Sequence, residues 1–335
     1  MIVAAYATLL AWLLLGGLPA DEFDPWTQES RYELEYRVDL AGIAGEDDRR
    51  VRVWLPTPAE NACQDVLSRR VESPWPHRET RDARGNRFFY LEPELSGSQP
   101  ATIVMHFEVV RHPSRGLRAA AAQKSRIHDP KRFLGAQRRI PLDGAIRDLA
   151  VEQANGSDSD TEKIRAYYGY VVASMDYSKR GEGWGNGDAI WACNAKYGNC
   201  TDFHSLLIGM SRSQGIAARF MMGFPIPPDK ESGSVPGYHC WAELYDPARG
   251  WIPVDASEAK KSGKVEAYFG LLPSDRVEFT VGRDLVLSPA QAGPPLNYFI
   301  YPYVEMDGRP VNGVSWTLHF RRLSGRDPKA DLAPE

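Results

Sequence analysis

With 335 residues, 43% of them hydrophobic and 25% charged, the chain carries enough apolar material for more than one core and too much for a disordered protein. Acids and bases are well mixed, net to -4 at pH 7 and form no basic tract, which argues against a nucleic-acid partner. The cysteines Cys63, Cys193, Cys200 and Cys240 are too few for a disulfide scaffold and leave room for one bridge beside a working thiol.

Residues 1–18 are apolar, and Leu18, Pro19 and Ala20 precede an acidic start, DEFD, the pattern of a signal segment over 1–20 cleaved after Ala20. No Lys or Arg precedes Arg31, so the positive region that opens such segments is missing and a retained N-terminal anchor is the competing reading. Both place the rest of the chain outside the cytoplasm, as a periplasmic or secreted protein that meets a membrane only if the segment is kept. RYELEYRVDL (31–40), RRVRVWLP (49–56), RFFYLEP (87–93) and ATIVMHFEVV (101–110) concentrate β-branched and aromatic residues between turn-forming clusters. They predict a β-sandwich-like domain over 27–113, in which His106 is structural.

A second domain, 114–322, begins with helical punctuation. GAIRDLAVEQA (144–154) and TEKIRAYYGYVVASM (161–175) read as helices, the second capped by Asp158, Ser159 or Asp160. The acidic run NGSDSDTE lacks the glycine and terminal glutamate of an EF-hand and is read as that cap, not as a calcium site. A Gly-rich segment, 178–199, carries Trp184 and Trp191 as candidate walls of a substrate groove. After the next helix, ARFMMGF, GYHCWAELY and GWIPVDA read as strands. A β-rich ending runs through VEFTV, LNYFIYPYVEM and SWTLHFRRL to a frayed tail over 323–335.

Cys200 stands where the chain turns at Gly198 and Asn199 and enters a helix that Gly215 ends. Phe203, Leu206, Leu207 and Met210 form its core-facing stripe. A sulfur in a first helical turn meets the positive end of the dipole and unpaired N–H groups, which favour the reactive thiolate and can receive an oxyanion. A base is supplied by GYHCWAELY, whose alternation puts His239, Trp241, Glu243 and Tyr245 on one face. If Tyr245 pairs with Trp251, Trp241 faces Asp255 and His239 is its diagonal neighbour; a shorter odd-length loop sets His239 directly opposite. An Asp on one imidazole nitrogen fixes the tautomer, and the other nitrogen can take the thiol proton. The candidate catalytic residues are therefore Cys200, His239 and Asp255.

GNCTDFHSLLIGMSRSQGIAARF, GYHCWAELY and GWIPVDAS, in that order, resemble the core of the transglutaminase-like superfamily over about residues 140–260. The resemblance implies an α+β, papain-like fold, with the Cys-bearing helix packed on an antiparallel sheet behind a β-sandwich-like domain. It implies acyl chemistry on an amide, with Cys200 as nucleophile, His239 as general base and acid, and Asp255 as orienting carboxylate. Calcium-dependent cross-linking is not expected, since the acidic loops and extra C-terminal sandwiches of the animal enzymes are missing. In the implied fold Cys193 and Cys240 are the expected disulfide pair if Cys200 stays free. Trp241, on the face of His239, joins Trp184 and Trp191 as a candidate substrate-binding residue. Asp202 supports the helix N-terminus, and His204 is a candidate for tuning the thiolate or touching substrate, outside the catalytic set.

Two rivals remain. A metal site from Cys200, His204, His239 and Cys240 is disfavoured because neighbouring strand residues point opposite ways. A catalytically inactive module for binding or assembly at the cell surface would be expected to lose at least one member of the triad. The expectation is a cysteine-dependent hydrolase or acyltransferase with a protein or peptide-like amide substrate, hydrolysing more readily than it cross-links, with no cofactor and no metal.

Overall fold

A computed structural model describes residues 23–43, 49–95, 101–115 and 129–323. The expected signal segment 1–20 lies outside them, as does the tail after Leu323. The fold is α+β: mostly antiparallel sheets around a small set of helices. No helix among the described residues is long and apolar enough to cross a membrane.

The centre is helix α4, Cys200–Ser213, held between the helices α1 (Ala145–Gln153), α2 (Asp160–Ser174), α3 (Ala189–Ala195) and α5 (Ala256–Ser262) and a four-stranded sheet. The predicted apolar stripe is present, but the opposite face is covered as well, so every residue from Cys200 to Arg212 is buried. Polar groups on that covered face must then find partners inside the protein. Ser205 and Ser211 bond back to the carbonyls of Thr201 and Leu207, at 2.7 and 2.8 Å. Gly215, at φ 78°, takes the left-handed turn after the helix. For α2 the cap is Ser159, whose hydroxyl and the Glu162 side chain form a capping box.

The four-stranded sheet runs Gly250–Val254, His239–Asp246, Ala218–Pro225, Arg276–Val281. Its hairpin pairs Tyr245 with Trp251 and Ala242 with Val254, which brings Asp255, one residue past the strand, opposite Trp241. This is the longer-loop register of the two considered, and it leaves His239 diagonal to Asp255.

The N-terminal strands divide between two further sheets, both completed from beyond residue 230. One runs Ser232–Ser234, Ser315–Leu323, Ser30–Asp39, Thr102–Arg111, Gln64–Glu72. Its central strand alternates cleanly, with Tyr32, Leu34, Tyr36 and Val38 inward. The other sheet includes Tyr303–Met306, Arg49–Pro56, Arg87–Leu91 and His77–Arg81 in that order. The strands Gln64–Glu72 and His77–Arg81 have weak apolar patterns and expose much of their length, so the sequence pattern had not marked them.

Candidate active site

Helix α4 starts at Cys200 because the residues around it satisfy its first turn. Asn199 Oδ1 accepts the Thr201 N–H at 2.9 Å, and the Asn199 carbonyl accepts those of Asp202 and Phe203 at 3.1 and 3.2 Å. Among the described residues this leaves the Cys200 N–H as the one group of the first four with no acceptor. Asp202 closes the capping box by accepting the Asn199 N–H at 2.9 Å, the helix-supporting place expected of it. The same carboxylate accepts the N–H groups of Gly185 and Gly187 at 2.6 and 2.9 Å, so it ties the Gly-rich segment to the helix mouth.

Arg283, buried, holds that segment from the other side, donating to the Gly187 carbonyl at 2.7 Å, the Asn186 carbonyl at 3.0 Å and Ser205 Oγ at 2.5 Å. Gly187 sits at φ 61°, and a Cβ there would press within 2.7 Å of the Arg283 guanidinium and Ser205 Oγ.

Cys200, His239 and Asp255 come together here, at 3%, 4% and 0% exposure, in a site closed to bulk water. His239 Nε2 donates to Asp255 Oδ2 at 2.5 Å, and the Cys200 thiol lies beside the His239 imidazole. Asp255 Oδ1 accepts the Glu258 N–H and the Ser257 hydroxyl, both at 2.9 Å, so one carboxylate caps α5 and orients the imidazole. Burial opposes the charged imidazole, yet the Asp255 carboxylate overrides it and lifts His239 to about 9. Burial also pushes Asp255 up, but the charge and hydrogen bond of His239 and the charge of Arg276 hold it below the usual carboxylate range. The neighbouring Cys240 thiol, and then the His239 imidazole, hold the Cys200 thiol well below its ordinary range despite burial. Burial keeps Cys240 protonated, with its pKa well above the ordinary value. The site thus favours a thiolate–imidazolium pair.

His204 sits one turn into α4, wholly buried. Its Nε2 accepts the Ala256 N–H at 3.2 Å, so the proton lies on Nδ1, which donates to the Cys200 carbonyl at 2.7 Å. It braces the first turn of α4 against the start of α5 and reaches no surface from which to touch substrate.

Three expectations need correction. Cys193 and Cys240 form no disulfide: all four cysteines are free, and Cys240 lies beside the Cys200 thiol and 3.7 Å from His204 Nδ1. Trp241 is not a groove wall; it has no exposed surface and packs beneath His239, with ring centres 6.5 Å apart. His239 and Cys240 are not parted by the strand's alternation, because both approach Cys200 at the strand's first residues. Even so, no group of three or more His, Cys, Asp or Glu among the described residues is arranged to hold a metal.

Trp184 and Trp191 are half-buried. The Trp184 indole donates to the Gly181 carbonyl at 3.1 Å, and Trp191 packs edge-on to Tyr197 with ring centres 5.2 Å apart. Their segment is the one Asp202 anchors. Tyr238 was missed: its hydroxyl meets Thr201 Oγ1 at 3.0 Å and Asn199 Nδ2 at 3.2 Å, directly over the helix mouth. Its position beside His239 in GYHC was the available signal. Arg276 and Arg283 gave none, because their partners lie far away in the chain.

Residues 147–256 match the model of the transglutaminase-like superfamily. An uncharacterized protein of Haemophilus influenzae is 26% identical over 217 residues, 55% of this chain and 59% of that protein. Bacillus subtilis YebA, also uncharacterized, is 26% identical over 130 residues, 34% of this chain and 17% of that one. The chain therefore spans less than two thirds of either relative. Among solved structures, a proposed cysteine protease of Cytophaga hutchinsonii superposes with TM-score 0.58 at 15% identity, over 90% of this chain and 93% of that one, which establishes likeness of fold. The periplasmic domain of TgpA from Pseudomonas aeruginosa aligns at TM-score 0.38 and 15% identity, over 71% and 93% of the two chains. What is shown is therefore a likeness to the transglutaminase-like superfamily over residues 147–256.

Proposed function

We propose that the protein is a cysteine-dependent amide hydrolase or acyltransferase with Cys200 as nucleophile, His239 as general base and acid, and Asp255 as orienting carboxylate. The observation that carries this reading is the buried line from the Cys200 thiol through His239 to Asp255, with 2.5 Å between imidazole and carboxylate. The thiolate adds to a carboxamide or peptide carbonyl, and the oxyanion is received by the Cys200 N–H, which has no acceptor among the described residues. The imidazolium gives its proton to the departing amine, leaving a thioester. Water then enters, His239 takes its proton, and the carboxylic acid is released. An amine in place of water gives transfer. Hydrolysis is the favoured outcome, since water is in excess outside the cytoplasm, where segment 1–20 would direct the chain.

Cys200 and His239 are almost wholly enclosed, so the substrate must displace cover at the mouth, where Tyr238 and the Gly-rich segment with Trp184 lie. Trp184 and Trp191 keep their proposed place as groove residues on that segment.

The test is a library of peptide amides offered to the full chain, with the acylated peptide identified by mass spectrometry. Cys200→Ala is expected to abolish both acylation and turnover while leaving the melting temperature within a few degrees. Full turnover by Cys200→Ala would overturn the mechanism. Absence of any acyl adduct on folded wild-type protein would favour a binding module that has kept the fold.

A further inference from the structure

The site holds more charge than the three proposed catalytic residues account for. Arg276, first residue of the strand Arg276–Val281, points its Nε at Asp255 Oδ2 from 4.0 Å, with side chains only 6% and 0% exposed. That Nε is buried and has no hydrogen-bond partner among the described residues. The other end of the guanidinium donates to Asp275 Oδ1 at 2.6 Å. His239, Asp255, Arg276 and Asp275 thus form one row of alternating charge, buried throughout.

Such a row has a physical reason. A carboxylate without water at its faces is expensive unless neighbouring charges and hydrogen bonds compensate it. Asp255 has two donors on Oδ1, while among the described residues Oδ2 faces the imidazole and the guanidinium. His239 is the group that must lose and regain its proton in the proposed cycle, so its charge cannot be the lasting compensation. Arg276 retains its proton at every stage.

We propose that Arg276 is a positioning residue, whose permanent positive charge keeps Asp255 ionised and turned toward His239 while the imidazole cycles between its two protonation states. This rests on the reading of Cys200 as nucleophile. Facing Arg276 are Asp275 beside it, Asp255 and Glu258 at the start of α5, and Tyr268 from the chain after α5. Facing Asp255, besides Arg276, are His239 and His204, with Tyr168, Tyr177 and Tyr268 around them. Asp275 competes with Asp255 for the same guanidinium. The two neighbours therefore act in opposite directions on the thiolate: Arg276 favours it, through Asp255 and by its own charge, and Asp275 opposes it.

The experiment needs no substrate. Full-length protein is alkylated with iodoacetamide across a pH series, and modification of Cys200 is followed by peptide mass spectrometry. Arg276→Gln is expected to move the acid limb of Cys200 reactivity up by about one pH unit, roughly a tenfold slower reaction on that limb. Arg276→Lys should keep the limb near its wild-type place, and Asp275→Asn should move it down. An Arg276→Gln protein that melts earlier but keeps the wild-type limb has lost only packing, and that result overturns the proposal. So does a limb displaced as far by Arg276→Lys as by Arg276→Gln. Should Arg276→Gln fail to fold, Asp275→Asn decides alone: a lowered limb supports the role and an unmoved one overturns it. A wild-type Cys200 that reacts only around pH 8.5 and above, like an ordinary thiol, counts against the nucleophile itself. A low wild-type limb that ignores Arg276 counts against Arg276 alone.

Discussion

Asp255 shows how much one side chain settles here. One oxygen caps α5 through Glu258 and Ser257, and the other takes the His239 Nε2–H at 2.5 Å. Asp255→Asn keeps the cap but removes the charge that lifts His239 to about 9. Without an imidazolium beside it at neutral pH, the Cys200 thiol should ionise at higher pH, and the acid limb of its reactivity should move up. At pH 8 the alkylation rate should drop about tenfold or more, with the fold intact by circular dichroism. These three residues were legible because each stands in a local pattern: a turn before a helix, an alternating strand, and a hairpin whose odd loop keeps one face. Cys240 and Arg276 were not. Alternation placed Cys240 on the far side of the strand, whereas the strand's first residues let it reach Cys200. The nearness of Arg276 depends on pairing of Arg276–Val281 with Ala218–Pro225, which no local pattern announces.

At the scale of the element, α4 is held at its mouth by Asp202, which accepts three backbone N–H groups at 2.6 to 2.9 Å. Asp202→Ala would leave these buried donors unpaired, at about 1–3 kcal/mol each before any entry of water. Its melting temperature should fall well below that of the wild type, and the Gly185 and Gly187 amides should exchange hydrogen faster than the remainder of the core. Equal exchange at those amides in both proteins would show that the anchor lies elsewhere. The helix itself was legible from its apolar stripe and its N-terminal turn. Its burial on every side was not, since the covering comes from α1, α2, α3 and α5, and α3 and α5 are short helices hidden in a Gly-rich segment and after a turn.

For the whole molecule, the core sheet is joined to the N-terminal sheets by polar groups as well as apolar ones. The Gln64 side chain donates to the Glu278 carbonyl and accepts the Glu278 N–H, both at 2.8 Å. The Glu278 carboxyl is buried beside Arg111, Glu243 and Arg219, and burial raises it from 4.5 to about 7. The unfolded chain therefore ionises first, and stability contributed below pH 4.5 is lost as pH rises through about 7. Glu278→Gln should raise stability at pH 8 by about 1–3 kcal/mol and by little at pH 4.5. Equal shifts at both pH values would contradict this. The strands of the first third were mostly legible from their residues. The closing of both N-terminal sheets by Ser315–Leu323 and Tyr303–Met306 was not, because pairings so distant in the chain are fixed by complementary buried faces and not by either segment alone.

The most direct measurement is the ultraviolet absorbance of the thiolate, taken as the difference between wild-type protein and Cys200→Ala while pH is raised from acid. A Cys200 ion-paired with His239 predicts that the difference is already present at neutral pH and disappears when His239 is also replaced by Ala. A difference that emerges only above about pH 8.5, or one indifferent to His239, would mean that the sulfur is an ordinary buried thiol.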